Sequence, residues 1–113
     1  MEEKSRRQEQ LGVLYQKIAS EFFQEHISLE EIVASVTRVE VKDGLREIVI
    51  YYSVWPDAKE KPVARRLMEL KGALRDQVGQ ETNTKFVPDI RFRLDESEKR
   101  RMGIERLLKK ARE

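Results

Sequence analysis

The side chains of this chain that are most plainly equipped for chemistry are cations, and they are unevenly spread. Residues 59–75 hold Lys59, Lys61, Arg65, Arg66, Lys71 and Arg75 against Glu60 and Glu69, a local charge of +4. Residues 99–112 hold Lys99, Arg100, Arg101, Arg106, Lys109, Lys110 and Arg112 against Glu105 alone, a local charge of +6. The whole chain is only +2, so everything outside these two stretches sums to −8. A polyanion-binding face on an otherwise negative surface produces this segregation. Solvated helices that simply favour Lys, Arg and Glu are the plainer alternative.

A glycine sits inside the first basic stretch. Gly72 interrupts the best helical pattern of the chain, where glycine costs roughly 1 kcal/mol relative to alanine. At about 100° per residue it falls nearly opposite the Val63, Leu67, Leu70 and Leu74 stripe and so faces outward. Lys61, Arg65, Met68 and Arg75 are its outer-face neighbours, with Lys71 on the flank. A bare backbone spot ringed by cations, where one helix ends and a second begins, is a seat for a phosphate, because the second helix would add its N-terminal dipole. The competing reading is a glycine that only breaks two helices.

Catalytic equipment is missing by comparison. The chain has no cysteine, which removes disulfides, thiolate metal sites and thiol nucleophiles and suits a reducing compartment. Its one histidine, His26, falls near the end of the first helical segment, a position that suits the helix dipole better than proton transfer. No glycine-rich phosphate loop occurs and no acid/base pair stands apart from neighbouring Lys or Arg. The expectation is a non-enzymatic chain with no metal and no cofactor.

The elements that position the cations follow from apolar periods. Leu11, Leu14, Tyr15, Ile18 and Phe22 recur at helical spacing and predict an amphipathic helix over 6–26. Residues 32–41 and 46–55 are rich in β-branched and aromatic types, and the Asp43-Gly44 step between them supplies the positive φ angles of a tight primed hairpin turn. The apolar phase of the first strand slips between Val36 and Val39, which predicts a bulge near Thr37 or Arg38. Helical spacing returns over 59–82, with Pro62 in the first turn. Ile90, Phe92 and Leu94 alternate with charged residues in a third strand over 86–94, which Pro88 assigns to a sheet edge or a bulge. Ser97 is placed to cap a last helix over about 98–112. Val49, Tyr51 and Trp55 share one face of the second strand, opposite Ile48, Ile50, Tyr52 and Val54. That face stacks bases, covers a protein partner, or is partly buried under a helix or terminus, the last being the plainer use.

The order α-β-β-α-kink-α-β resembles the type II KH domain, with an extra C-terminal helix and a three-stranded mixed sheet in an α+β fold. The Gly-x-x-Gly loop of ordinary KH domains is absent, since no two glycines stand three apart. One KH-like family replaces that loop with an interhelical kink, ribosome-binding factor A, and several stretches are similar to it. They are Thr37-Arg38-Val39-Glu40-Val41, Ile48 to Val54, Leu74-Arg75, Val87-Pro88-Asp89-Ile90-Arg91-Phe92 with Asp95-Glu96-Ser97, and Ile104-Glu105-Arg106-Leu107-Leu108. The likeness spans about residues 7–108. Three departures stand out: the kink reads Leu70-Lys71-Gly72 where the family prefers Ala-x-Gly, the family's Asp-Pro-Arg segment after the first helix is replaced by His26 to Glu31, and Gln10 stands where the second arginine of the family's opening Arg-x-x-Arg-Val would be, Arg7 matching the first.

The resemblance implies a single domain over 1–113, with a core at about 6–96 and a basic C-terminal helix at about 97–113. It implies a central first strand, antiparallel to 46–55 and parallel to 86–94. It also implies a ribosome assembly factor that binds the immature 30S small subunit and helps the 16S rRNA precursor mature, with a role in cold adaptation; separately, the lack of cysteine points to the cytoplasm, and a monomer is expected. The opening residues lead into no apolar run, so neither a signal peptide nor a membrane span is expected. RNA contacts are expected from Lys61, Arg65, Lys71, Gly72 and Arg75 at the kink and from Lys99, Arg100, Arg101, Lys109 and Lys110 in the last helix. The alternative function is a basic protein–protein module docking on an acidic partner.

Overall fold

A computed structural model describes residues 6–27, 31–42, 44, 46–83 and 86–112, without the side chains of 98–100, 102–104, 106 and 112. Helix α1 runs from Arg6 to His26, strand β1 from Val33 to Lys42, β2 from Glu47 to Trp55, helix α2 from Glu60 to Thr82, β3 from Asp89 to Leu94 and α3 from Glu96 to Arg112. A 3-10 turn over Asp57–Lys59 leads into α2. Among the described residues no helix is long and apolar enough to cross a membrane.

The sheet order is β1-β2-β3, with β1 antiparallel to β2 and β3 parallel to β2. The central strand is therefore β2, which corrects the expectation that the first strand is central and parallel to the third. The reason lies in burial. Ile48, Val49, Ile50, Tyr52 and Val54 of β2 are all buried, whereas every second residue of β1 toward its end is charged and at least partly exposed. Of the three strands β2 is the most thoroughly buried, which agrees with the middle place, where both edges of the strand are shielded by a neighbour. The α2 crossover then joins two parallel neighbours.

Other details of the sheet follow from local sequence. The β1–β2 register shifts between Val36 and Arg38, so the extra residue is Thr37, at the bulge predicted from the phase slip. The last ladder pair of the hairpin is Lys42 with Glu47, so its loop spans 43–46 and is longer than a two-residue primed turn. Gly44 nevertheless takes φ 56°, the left-handed angle that glycine adopts without steric cost; Asp43 lies outside the described residues. Strand β3 starts directly after Pro88, at the sheet edge, where a residue without an N–H costs no ladder bond.

Helix α2 runs unbroken through Gly72 over 23 residues, about 34 Å at roughly 1.5 Å per residue. The expected division into two helices at Gly72 does not occur. The break falls at Asn83, which adopts φ 50° and donates its N–H to the Gly79 carbonyl at 3.0 Å, a left-handed cap that asparagine tolerates. The apolar stripe explains the continuity, because Leu67 and Leu74 on either side of the glycine are both fully buried against the same core. The Asp95 Oδ1 accepts the Ser97 N–H at 3.0 Å, so Asp95 and not Ser97 caps α3. Its Oδ2 also accepts the Thr37 hydroxyl, tying the bulge of β1 to the start of α3.

Both long helices pack on the face of the sheet formed by Ile48, Ile50, Tyr52 and Ile90. From α1 come Tyr15, Ile18, Ala19, Phe22 and Phe23; from α2 come Val63, Leu67, Leu74 and Val78. Each buried phenylalanine contributes heavily, since Phe→Ala in a core costs about 3–5 kcal/mol. Among the described residues, the opposite face of the sheet carries no helix packed across it to a comparable extent.

A methyl group added at Gly72 would meet nothing within 4 Å. Gly72→Ala is therefore expected to stabilise the domain by about 0.8–1 kcal/mol, the helix-propensity difference, and to raise the melting temperature by several degrees. A lowered melting temperature would mean that the backbone at Gly72 is strained or broken.

Burial pushes the phenols of Tyr15 and Tyr52 above their ordinary value of 10.0; the Arg7 guanidinium pulls Tyr15 partly back, and Glu60 pushes Tyr52 further up. Because the unfolded chain ionises these groups first, their contribution to stability is intact below pH 10 and is lost as pH rises through the folded-state values. Tyr15→Phe is expected to reduce the slope of stability against pH in alkali, measured by denaturant melts at a series of pH values; an unchanged slope would count against burial of that phenol.

Candidate nucleic-acid interface

The outer face of α2 presents Lys61, Arg65, Met68 and Gly72 to solvent, Met68 being 65% exposed. Among the described residues neither Lys61 nor Arg65 has an ion-pair partner, while the adjacent Arg66 is held by Glu69 at 3.2 Å. The other two expected cations are spent within the fold. Arg75 donates to the carbonyls of Val87 and Pro88 at 3.3 and 3.4 Å, and Lys71 pairs with Asp89 at 3.6 Å. Both hold the connection between α2 and β3, so they act as tethers of the sheet edge as well as surface charges.

The surroundings of Gly72 are less cationic than its sequence neighbours indicate. Helical geometry puts Glu69 and Asp76 at its i−3 and i+4 positions, and both are exposed. With α2 continuous there is no second helix N-terminus at this point, so the expected dipole contribution to phosphate binding is absent. What remains is an open backbone spot with the free cations Arg65 and Lys61 farther toward the N-terminal end of the same helix.

In α3, Arg101, Lys109 and Lys110 are exposed. Lys99 and Arg100 belong to the helix, but their side chains lie outside the described residues. Among the described residues the helix makes no substantial contact with the other elements, and Leu107 and Leu108 are 69% and 54% exposed. Its cations are thus carried on a segment whose shape does not depend on burying them.

Sequence reading missed a cleft between the start of α1 and the α2–β3 connection. Arg7, Leu11, Tyr15, Arg46, Phe86 and Val87 are among the residues that line it. Arg7, Arg46 and an 80% exposed Phe86 come together there from three separate segments. No single stretch of sequence carries that signal, because the juxtaposition depends on the hairpin loop folding back beside Pro88, where the Asp89 N–H donates to the Arg46 carbonyl at 2.8 Å.

Among the described residues no group of three or more His, Cys, Asp or Glu side chains could hold a metal ion. His26 lies on the surface near the end of α1, its ring 4.3 Å from that of Phe22 and its Nε2 3.8 Å from Glu25.

Comparison with known proteins agrees with this architecture. The sequence profile of ribosome-binding factor A matches residues 7–108. Ribosome-binding factor A of Halothermothrix orenii is 34% identical over 112 residues, covering 97% of this chain and 92% of that protein. The crystal structure of ribosome-binding factor A from Thermus thermophilus superposes with a TM-score of 0.65 at 14% identity, covering 75% of this chain and 92% of that one. A Thermus thermophilus homology model fitted into the cryo-EM map of a complex of that factor with the 30S subunit superposes with a TM-score of 0.63 at 14% identity, covering 73% and 88%. At such identities the superpositions speak for the fold, and the profile and the Halothermothrix relative speak for descent. The chain belongs to the ribosome-binding factor A family.

Proposed function

We propose that this protein is a ribosome assembly factor that binds the immature 30S small subunit in the cytoplasm and assists maturation of the 16S rRNA precursor, with the role in cold adaptation usual for such factors. The observation that carries this reading is the pair of exposed cations Lys61 and Arg65 on α2, which have no ion-pair partner among the described residues, in a chain whose relative has been fitted into a 30S complex. The cations of α3, among them Lys109 and Lys110, add a second phosphate-neutralising segment. The protein acts by binding and not by catalysis.

The contacts divide by role. Lys61, Arg65 and the open backbone at Gly72 form the docking surface on α2. Lys71 and Arg75 contribute charge there only while they hold β3 in place, so their removal affects folding and binding together. Lys99, Arg100, Arg101, Lys109 and Lys110 supply affinity with little sequence preference, because phosphate contacts position without specifying.

The charge reversal Lys61→Glu with Arg65→Glu is expected to abolish most co-sedimentation with free small subunits. Stability should change by no more than about 0.5 kcal/mol, as is usual for exposed sites. Wild-type protein should sediment with free 30S subunits and not with 70S ribosomes. A reversed variant that melts normally and still binds at wild-type strength would move the site away from α2.

Neutralising Lys109 and Lys110 to Gln is expected to lower the salt dependence of RNA binding by roughly 0.7–0.9 in log–log slope for each phosphate that is no longer neutralised. Titrations at several salt concentrations read this directly, and an unchanged slope would identify α3 as a solvated tail.

A further inference from the structure

The face of the sheet turned away from the helices has a composition that the core does not explain. Strand register places Val33 opposite Trp55, Ser35 opposite Ser53, Arg38 opposite Tyr51 and Glu40 opposite Val49, and it puts Arg91 and Arg93 beside Val49 and Tyr51. Val49 is only 2% exposed and stands between Glu40 and Arg91 in register. Toward the other end of β2 the face opens: Trp55 is 46% and Val33 59% exposed. The Arg38 guanidinium carbon lies 3.7 Å from the centroid of the Tyr51 ring, so a flat cationic group is stacked on an aromatic one at the surface. Trp55 and Tyr51 stand four residues apart on one strand face, about 13 Å at roughly 3.3 Å per residue.

The carboxylates of this face and its border are already occupied. Glu40 accepts the Tyr51 hydroxyl at 3.0 Å and lies 3.9 Å from Arg38; Glu47 pairs with Arg91 at 3.3 Å; Asp89 pairs with Lys71 at 3.6 Å. Asp95 spends its two oxygens on Thr37 and on the cap of α3. Among the described residues no carboxylate pairs with Arg93, which is exposed beside Tyr51. The face thus offers two separated stacking platforms and an uncommitted cation between neutralised pairs. A protein partner would want a patch depleted of charge at its centre, and here the centre is Arg38, Glu40 and Arg93. Unstacked bases suit it, because they stack on aromatic rings and on arginine planes while their phosphates seek cations.

We propose that the sheet face turned away from α1 and α2 binds single-stranded RNA, with bases stacking on Trp55 and on the Tyr51–Arg38 pair and a backbone phosphate meeting Arg93. This surface is distinct from the outer face of α2, and the inference rests on the reading of the chain as an RNA-directed ribosome factor.

Trp55 is the only tryptophan of the chain, so its intrinsic fluorescence reports on this face alone. The full chain is titrated with single-stranded oligoadenylate, and separately with the same strand annealed to oligouridylate, while anisotropy of a labelled strand measures binding independently. Saturable quenching of Trp55 by the single strand and none by the duplex is the expected result. Trp55→Ala should weaken single-strand binding about tenfold, the order that loss of one base–aromatic stack gives, and Trp55→Phe should retain it. Arg93→Glu, which leaves the tryptophan in place, should weaken binding and shallow its salt dependence. Single-strand binding with unchanged Trp55 fluorescence, or equal quenching by the duplex, overturns the proposal. So does a Trp55 signal given by whole small subunits but by no oligonucleotide, which would assign the face to a ribosomal protein. Co-sedimentation of the wild-type chain tests the parent reading separately. Quenching without subunit binding overturns that reading and leaves this one, and subunit binding with Trp55 silent to single strands does the reverse.

Discussion

Three rings hold the architecture together: Phe23 of α1, Tyr52 of β2 and Phe92 of β3, with centroids 5.8 Å apart for Phe23–Tyr52, 6.3 Å for Phe23–Phe92 and 6.5 Å for Tyr52–Phe92. The last pair is close to edge-on, at 83°, an arrangement that sets the positive ring edge against the negative ring face. Through this cluster the first helix reads the spacing between the central and the edge strand. If β3 were to pair elsewhere, Phe92 would leave the cluster and Phe23 would face a cavity. The parallel β2–β3 pairing and the seating of α1 are therefore one constraint, and the placement of α2 as the crossover between those strands follows from it.

Much of this was legible in the sequence wherever the signal was periodic. The stripe from Leu11 to Phe22 marked α1, and the phase slip between Val36 and Val39 marked the bulge, because both depend only on which residues must face one core. Sheet order was not legible in the same way. Alternation says which side of a strand is buried but not which strands stand beside it, and the pairing inferred from family likeness put β1 in the centre. The overlooked signal was the buried Val49 on the outer face of β2, a strand that is apolar on both sides near its middle.

The candidate site was legible by residue type and less so by role. Among the cations expected to meet RNA, Lys61, Arg65, Arg101, Lys109 and Lys110 are exposed. Lys71 and Arg75, indistinguishable from them in sequence, are committed to Asp89 and to the carbonyls ahead of β3. The helix penalty of glycine predicts a break at Gly72, yet Leu67 and Leu74 bury so completely on either side that tertiary packing overrides it. A glycine between two buried leucines belongs to the same rod, and it leaves a notch in the rod's outer surface.

Asp95 gives the molecule a property that neither the sheet nor α3 has alone. One carboxylate fixes the bulge at Thr37 and the first turn of α3, so the helix is held at its root while, among the described residues, the rest of its length makes no substantial contact with the other elements. With 17 residues it projects about 26 Å at roughly 1.5 Å per residue. In mechanical terms α3 is a cantilever clamped at a β-bulge. The residue that interrupts the β1–β2 ladder thus also sets where the helix carrying the exposed Lys109 and Lys110 begins.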